Sequence, residues 1–142
     1  MKCTLFLQII GLAFTLNSVF AQGFTDSDLK QLMEKNDHGI IYVWSPNMPL
    51  TWKGKKEAKK IAQEAGMSFT DLVDPYGKSP IMKYVPEKVV KSQKLLSLGI
   101  LEHFPAIIIY KNKKVFKRVI HGHETRLHLL NLIKEVEEIS NE

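Results

Sequence analysis

The sequence predicts an α/β fold: a three-layer α/β/α sandwich with a central mixed sheet of about four strands. Three observations point there. Short runs rich in β-branched residues, at 40–44 and 106–110, alternate with segments whose apolar residues recur at helical spacing. Those runs are continuously apolar, so each is expected to be covered on both faces. The last two strands are separated only by a polar turn, which makes them an antiparallel hairpin closing a sheet otherwise linked by helical crossovers.

Residues 1–21 stand apart from this pattern. Lys2 gives a short positive start, residues 4–16 are apolar except for Gln8 and Thr15, and Val19 and Ala21 occupy −3 and −1 of a cut before Gln22. This reads as a secretory signal peptide. The apolar run is short for a membrane span, and nothing later reaches about 18 apolar residues. The expectation is a signal peptide over 1–21 and one domain over 22–142, periplasmic or secreted, with no transmembrane segment after cleavage. Cys3 precedes the apolar stretch, whereas lipid attachment needs a cysteine at the cut. The 142-residue chain has only this one cysteine and a formal charge of +5. An intramolecular disulfide is therefore excluded. The expected mature chain lacks cysteine altogether and loses only the charge of Lys2, leaving +4.

The elements follow in order. Thr25 and Asp26 can cap a helix reaching about Asn36, with Leu29, Leu32 and Met33 on one face. Asp37-His38-Gly39 breaks the chain before the strand at 40–44. Asn47 is the expected cap of a second helix with Pro49 in its first turn. Ala58, Ile61, Ala62 and Ala65 form its buried stripe, and Gly66 its stop. Lys53, Lys55, Lys56, Lys59 and Lys60 fall mostly off that stripe and read as a solvated face, with an anionic-partner patch as the alternative. Residues 67–73 read as a strand, Asp74-Pro75-Tyr76-Gly77 as a turn. A third helix is expected after Pro86, carrying Val89, Val90, Leu95 and Leu96 and stopping near Gly99. Residues 106–110 and 115–120 form the hairpin around Lys111-Asn112-Lys113-Lys114. A last helix covers 124–139, with Leu129, Leu132, Ile133 and Val136 on one face.

Two segments in this order resemble the thioredoxin superfamily. Tyr42-Val43-Trp44-Ser45-Pro46-Asn47-Met48-Pro49-Leu50-Thr51 is similar to that family's strand, aromatic residue and Cys-x-x-Cys turn at a helix start. His103-Phe104-Pro105-Ala106-Ile107-Ile108-Ile109-Tyr110-Lys111-Asn112-Lys113 is similar to its cis-proline loop, strand and hairpin. The resemblance covers most of 22–142, and residues 77–101 exceed the family's minimum. In this register Met48 and Thr51 stand where the two cysteines would. A thioether has no proton to lose and a threonine cannot form a disulfide, so thiol–disulfide exchange is chemically closed to the mature chain. No enzyme activity and no cofactor are expected.

The resemblance implies a groove in which backbone groups beside a cis Pro105 hydrogen-bond an extended segment of a protein or peptide partner. Trp44, Pro46, Met48, Pro49, Leu50, Thr51, Phe104 and Pro105 are its candidate residues, in a chaperone-like or adaptor role. Methionine suits an adaptable contact surface. Trp44 also fits the core, because it ends a buried strand, and Trp52 fits either place. Two alternatives stand beside this reading. One is copper handling through Met48 with His103, His121 and His123, since thioether and imidazole suit that metal; against it, an H-x-H pair on a strand end points to opposite faces. The other is a structural subunit with a vestigial groove. No Ser-His-acid pattern, no phosphate-binding glycine loop and no basic–aromatic nucleic-acid motif is present.

Overall fold

The computed structural model describes residues 23–77, 88–119 and 125–141. Its elements are α1 (Asp26–Lys35), β1 (His38–Trp44), α2 (Pro49–Glu64), β2 (Ser68–Val73), β3 (Lys88–Val89), α3 (Gln93–Leu96), β4 (Ala106–Lys111), β5 (Lys114–Val119) and α4 (Thr125–Ser140). The sheet order is β3-β2-β1-β4-β5. β1 runs parallel to β2 and antiparallel to β4, with Val43 beside Leu72 on one side and Ala106 on the other. The mixed sheet is the expected one, with five strands instead of about four.

Alternation along β1 divides the core into two layers. Ile40, Tyr42 and Trp44 join Ile107 and Ile109 of β4 against Ala58, Ile61 and Ala62 of α2 and Leu129, Leu132, Ile133 and Val136 of α4. Ile41 and Val43 join Ala106, Ile108 and Tyr110 against Leu29 of α1, Leu95 of α3 and Ile100. The expected face of the last helix is buried, and so is that of the second except for Ala65, which caps the helix end and is exposed; on the first helix Leu29 is buried, and Leu32 and Met33 are half-buried against the same layer. Each fully buried aliphatic side chain contributes about 1.5–3 kcal/mol before entropy is counted.

Local chemistry explains the element ends. Thr25 caps α1 in a reciprocal box: the Thr25 amide donates to Asp28 Oδ2 (2.8 Å) and the Asp28 amide to Thr25 Oγ1 (3.4 Å). Past α2, Gly66 takes φ +66, which glycine adopts without steric cost. Asn112 (φ 51) and Lys113 (φ 63) form the two-residue hairpin turn.

The third helix differs from expectation. Val89 lies in β3 beside Val73, and Val90 bridges to Phe24, so only residues 93–96 are helical. Two adjacent β-branched residues are better placed on the open edge of β2 than in a helix. Ser92 caps the short helix, and its hydroxyl donates to Asp26 Oδ1 (2.5 Å), which also accepts from the Lys94 amide (3.0 Å). The Ser92 bond leads the effects that hold the Asp26 carboxyl below its usual range. Among the described residues no helix is long and apolar enough to cross a membrane. The signal-peptide reading of 1–21 and the two histidines at 121 and 123 lie outside the described residues.

Candidate functional site

Three connections meet where β1 ends. Residues 45–48 leave β1, residues 74–77 leave β2, and Phe104-Pro105 enters β4. The register fixes this meeting, because Trp44 lies beside Val73 and Val43 lies opposite Ala106. It is also the point from which the sheet grows in both directions, a place where open α/β sheets form crevices. The Phe104–Pro105 peptide bond is cis.

Asp74 ties two of the connections together. Its amide donates to the Trp44 carbonyl (2.9 Å), its Oδ2 accepts from the Ser45 hydroxyl (3.1 Å), and its Oδ1 accepts from the Tyr76 amide (2.9 Å). Ser45 Oγ in turn accepts from the Asn47 amide (3.4 Å). Gly77 has no room for a side chain, because a Cβ there would stand 2.4 Å from Pro46 Cδ. Pro46 therefore lies against the backbone of the neighbouring loop.

Helix α2 begins over this base. Its N-cap is Met48 instead of the expected Asn47, whose amide is engaged by Ser45; Pro49 takes the first helical position as expected. Met48 makes no side-chain cap, and the first turn contains no acidic residue. Thr51 is 2% exposed. Its hydroxyl faces the Met48 carbonyl (2.7 Å) and the Ser45 carbonyl (3.2 Å) and accepts from the Ser45 amide (3.2 Å). The Tyr42 hydroxyl donates to the Thr51 carbonyl (2.5 Å), and burial raises the Tyr42 phenol far above its ordinary value, so it stays a neutral donor. The turn is held from the protein side, leaving its outer surface uncommitted.

Exposure then sorts the sequence candidates. Met48 (45%) and Leu50 (60%) are exposed, as is Pro49, while Pro46, Phe104 and Pro105 are half-buried. Trp44 and Thr51 are buried beneath these residues, Trp44 in the core that the end of a buried strand also suggested. Their burial follows from position, Trp44 ending an inner strand and Thr51 falling on the inward side of α2.

Two exposed aromatics at this end extend the set. Trp52 (47%) stacks on Trp44 with ring centroids 6.4 Å apart and planes at 18°. Lys55 Nζ lies 5.4 Å from the Trp44 ring centroid and 2.8 Å from Asp71 Oδ2, which locks the stack from one side. Tyr76 (77%) stands on the loop whose next residue meets Pro46. An aromatic between Pro75 and Gly77, in a turn with nothing local to bury it, was the available sequence signal.

Met48 offers a polarizable thioether and Thr51 an internally committed hydroxyl, and neither is an activated nucleophile. His103 is exposed beside Phe104. Among the described residues no three His, Cys, Asp or Glu side chains converge as a metal site.

No family model matches the chain, and no curated protein matches it in sequence. Solved structures do. The chain is similar to the exposed lipoprotein thioredoxin of Streptococcus pneumoniae, with a TM-score of 0.55 and 20% identity over 73% of this chain and 89% of that one. It is similar to the thioredoxin of Fasciola hepatica, with a TM-score of 0.53 and 15% identity over 78% of this chain and 93% of that one. The fold is thioredoxin-like.

Proposed function

We propose that this chain is an exported binding module on a thioredoxin-like fold, without thiol–disulfide activity, that takes an extended segment of a protein partner against Met48, Pro49, Leu50, Phe104 and Pro105. One observation carries the reading: large apolar side chains stand exposed at the uncapped start of α2, at the end of the sheet where β1 finishes and Phe104-Pro105 enters β4. Leaving Met48, Leu50 and Trp52 in water forgoes burial worth about 25 cal/mol per Å² of apolar surface, a loss a partner would recover. The Met48 and Thr51 side chains cannot exchange disulfides, and Cys3 lies in the segment read as a signal peptide. That same segment supports export to the periplasm or the extracellular space.

Photo-crosslinking in the native cell tests the binding role. A reactive side chain at Leu50 is expected to give a discrete protein adduct that the same group at exposed Lys134 of α4 does not give. Equal labelling at both positions, or none at either, would overturn it. The purified Cys3→Ser variant is expected to leave insulin disulfides intact; turnover by that preparation would end the non-redox reading.

A further inference from the structure

The outward face of α2 says what kind of segment fits. Successive residues turn by about 100° around a helix. With Ala58, Ile61 and Ala62 inward, the opposite side carries Pro49, Trp52, Lys53, Lys56, Lys59 and Lys60. All six are exposed. The order along the axis is apolar first, then basic: Met48, Pro49 and Trp52 at the tip, the lysines below.

Among the described residues, the acids nearest those lysines are committed elsewhere. Glu57 and Glu64, the acidic residues of α2, both pair with Arg126 of α4, at 3.2 Å each. Lys55, at the inner edge, is taken by Asp71. Lys53, Lys56, Lys59 and Lys60 make no ion pair among the described residues. The positive end of the helix dipole adds to the same field, since its first turn has neither an acid nor a side-chain cap. Like charges gathered this way repel one another, and an anionic partner relieves that repulsion.

We infer that the partner segment bound at Met48 and Trp52 continues into a short acidic run that lies along Lys53, Lys56, Lys59 and Lys60. This rests on the binding role proposed above and names the chemistry of the occupant. From Lys53 to Lys60 the helix rises about 10 Å. Extended chain covers that distance in about three residues, so three or four Asp or Glu residues match the stripe. A lipid surface fits less well. A helix lying on a membrane presents an apolar face along its length, whereas here that face is packed on the sheet and the exposed apolar groups sit at one end.

Selection from a displayed library of random twelve-residue peptides on the purified protein tests this. Enriched peptides are expected to join an apolar or aromatic residue to a cluster of Asp and Glu. Replacing those acids by Asn and Gln in a selected peptide should weaken binding about ten-fold at low salt. The difference should shrink toward one at high salt, where exposed pairs are screened. Trp52 emission reports whether a peptide reaches the tip. The Lys56→Glu, Lys60→Glu double variant should lose the acidic preference while keeping its far-ultraviolet circular dichroism; Lys56→Gln, Lys60→Gln should do so more weakly. Apolar peptides enriched without acids, and bound equally by both variants, would overturn the inference and leave the binding role standing. No enriched peptide, together with no adduct at Leu50, would remove both. Saturable binding to phosphatidylglycerol vesicles that selected peptides fail to displace would assign the lysines to a lipid surface instead.

Discussion

Helices α1 and α2 begin in opposite ways. At α1, Thr25 and Asp28 satisfy each other's amides, and Asp26 and Asp28 place negative charge on the positive end of the helix. At α2 the cap is a methionine, the first turn has no acid, and Lys53 follows at once. The polar group available there, the Thr51 hydroxyl, turns inward to the Ser45 and Met48 backbone. One helix start is finished for stability. The other is braced from below and left apolar and positive above. The same principles of capping applied to both ends separate a terminus satisfied by its own side chains from one that is not.

Substitutions can break or sharpen this contrast. The largest effect is expected at Thr51→Val, which keeps the shape and removes the buried hydroxyl that brackets residues 45–48. It should cost about 1–3 kcal/mol in urea unfolding. A neutral result would mean the turn is not braced from beneath. Thr25→Ala removes the cap of α1 and should cost about 1 kcal/mol. Met48→Asp should act in the opposite sense, supplying a cap and a charge that suits the dipole, and should stabilise by about 0.5–1 kcal/mol. The same variant should lose the adduct from Leu50, because the apolar tip becomes anionic. A destabilised Met48→Asp protein would show that α2 does not start as described.

The smallest effect concerns pH. Bonding to the Thr25 amide holds the Asp28 carboxyl below its ordinary 3.8, ahead of the opposing cost of burial. A lowered folded value means that this contribution is complete above the unfolded value and lost as pH falls through the folded one. Asp28→Asn should therefore flatten the loss of stability below about pH 4. An unchanged acid profile would argue that the capping box is not formed in solution. At α2 no first-turn acid exists to titrate, so Thr51→Val should leave that profile alone.

Much of this was legible in the chain because its causes are local. Thr25 before Asp28, Pro49 at a helix start, Gly66 after a helical stripe and Asn112 in a hairpin each state their role within a few residues. The two inner strands announced themselves by continuous apolar runs. The resemblance around residues 42–51 and 103–113 implied a cis Pro105 at the start of a strand, and the Phe104–Pro105 bond before β4 is cis. Other features were hidden for a single reason. Val89 and Val90 fit a helical spacing, and only the free edge of β2 makes them a strand. Asn47 is a better cap than Met48 by residue type, and only Ser45, held by Asp74, claims its amide. Thr51 belongs to the same segment as Met48, and only packing puts it beneath the surface. Tyr76 is the turn residue it was read as, and only the packing of Gly77 against Pro46 places it near the start of α2.

The sequence by itself determined the helices α1, α2 and α4, the two apolar layers and the absence of a reactive thiol at the start of α2, since periodicity, residue type and a missing sulfhydryl need no neighbour. The tertiary structure decided which lysines are matched. Glu57 lies four residues after Lys53 and three before Lys60, and Glu64 four after Lys60, spacings at which they would pair with those two lysines on an isolated helix. The approach of α4 brings Arg126 to both carboxylates at 3.2 Å. Charge pairing is settled by distance in space, so the balance that a linear count shows as mixed becomes, among the described residues, a face of lysines without ion pairs.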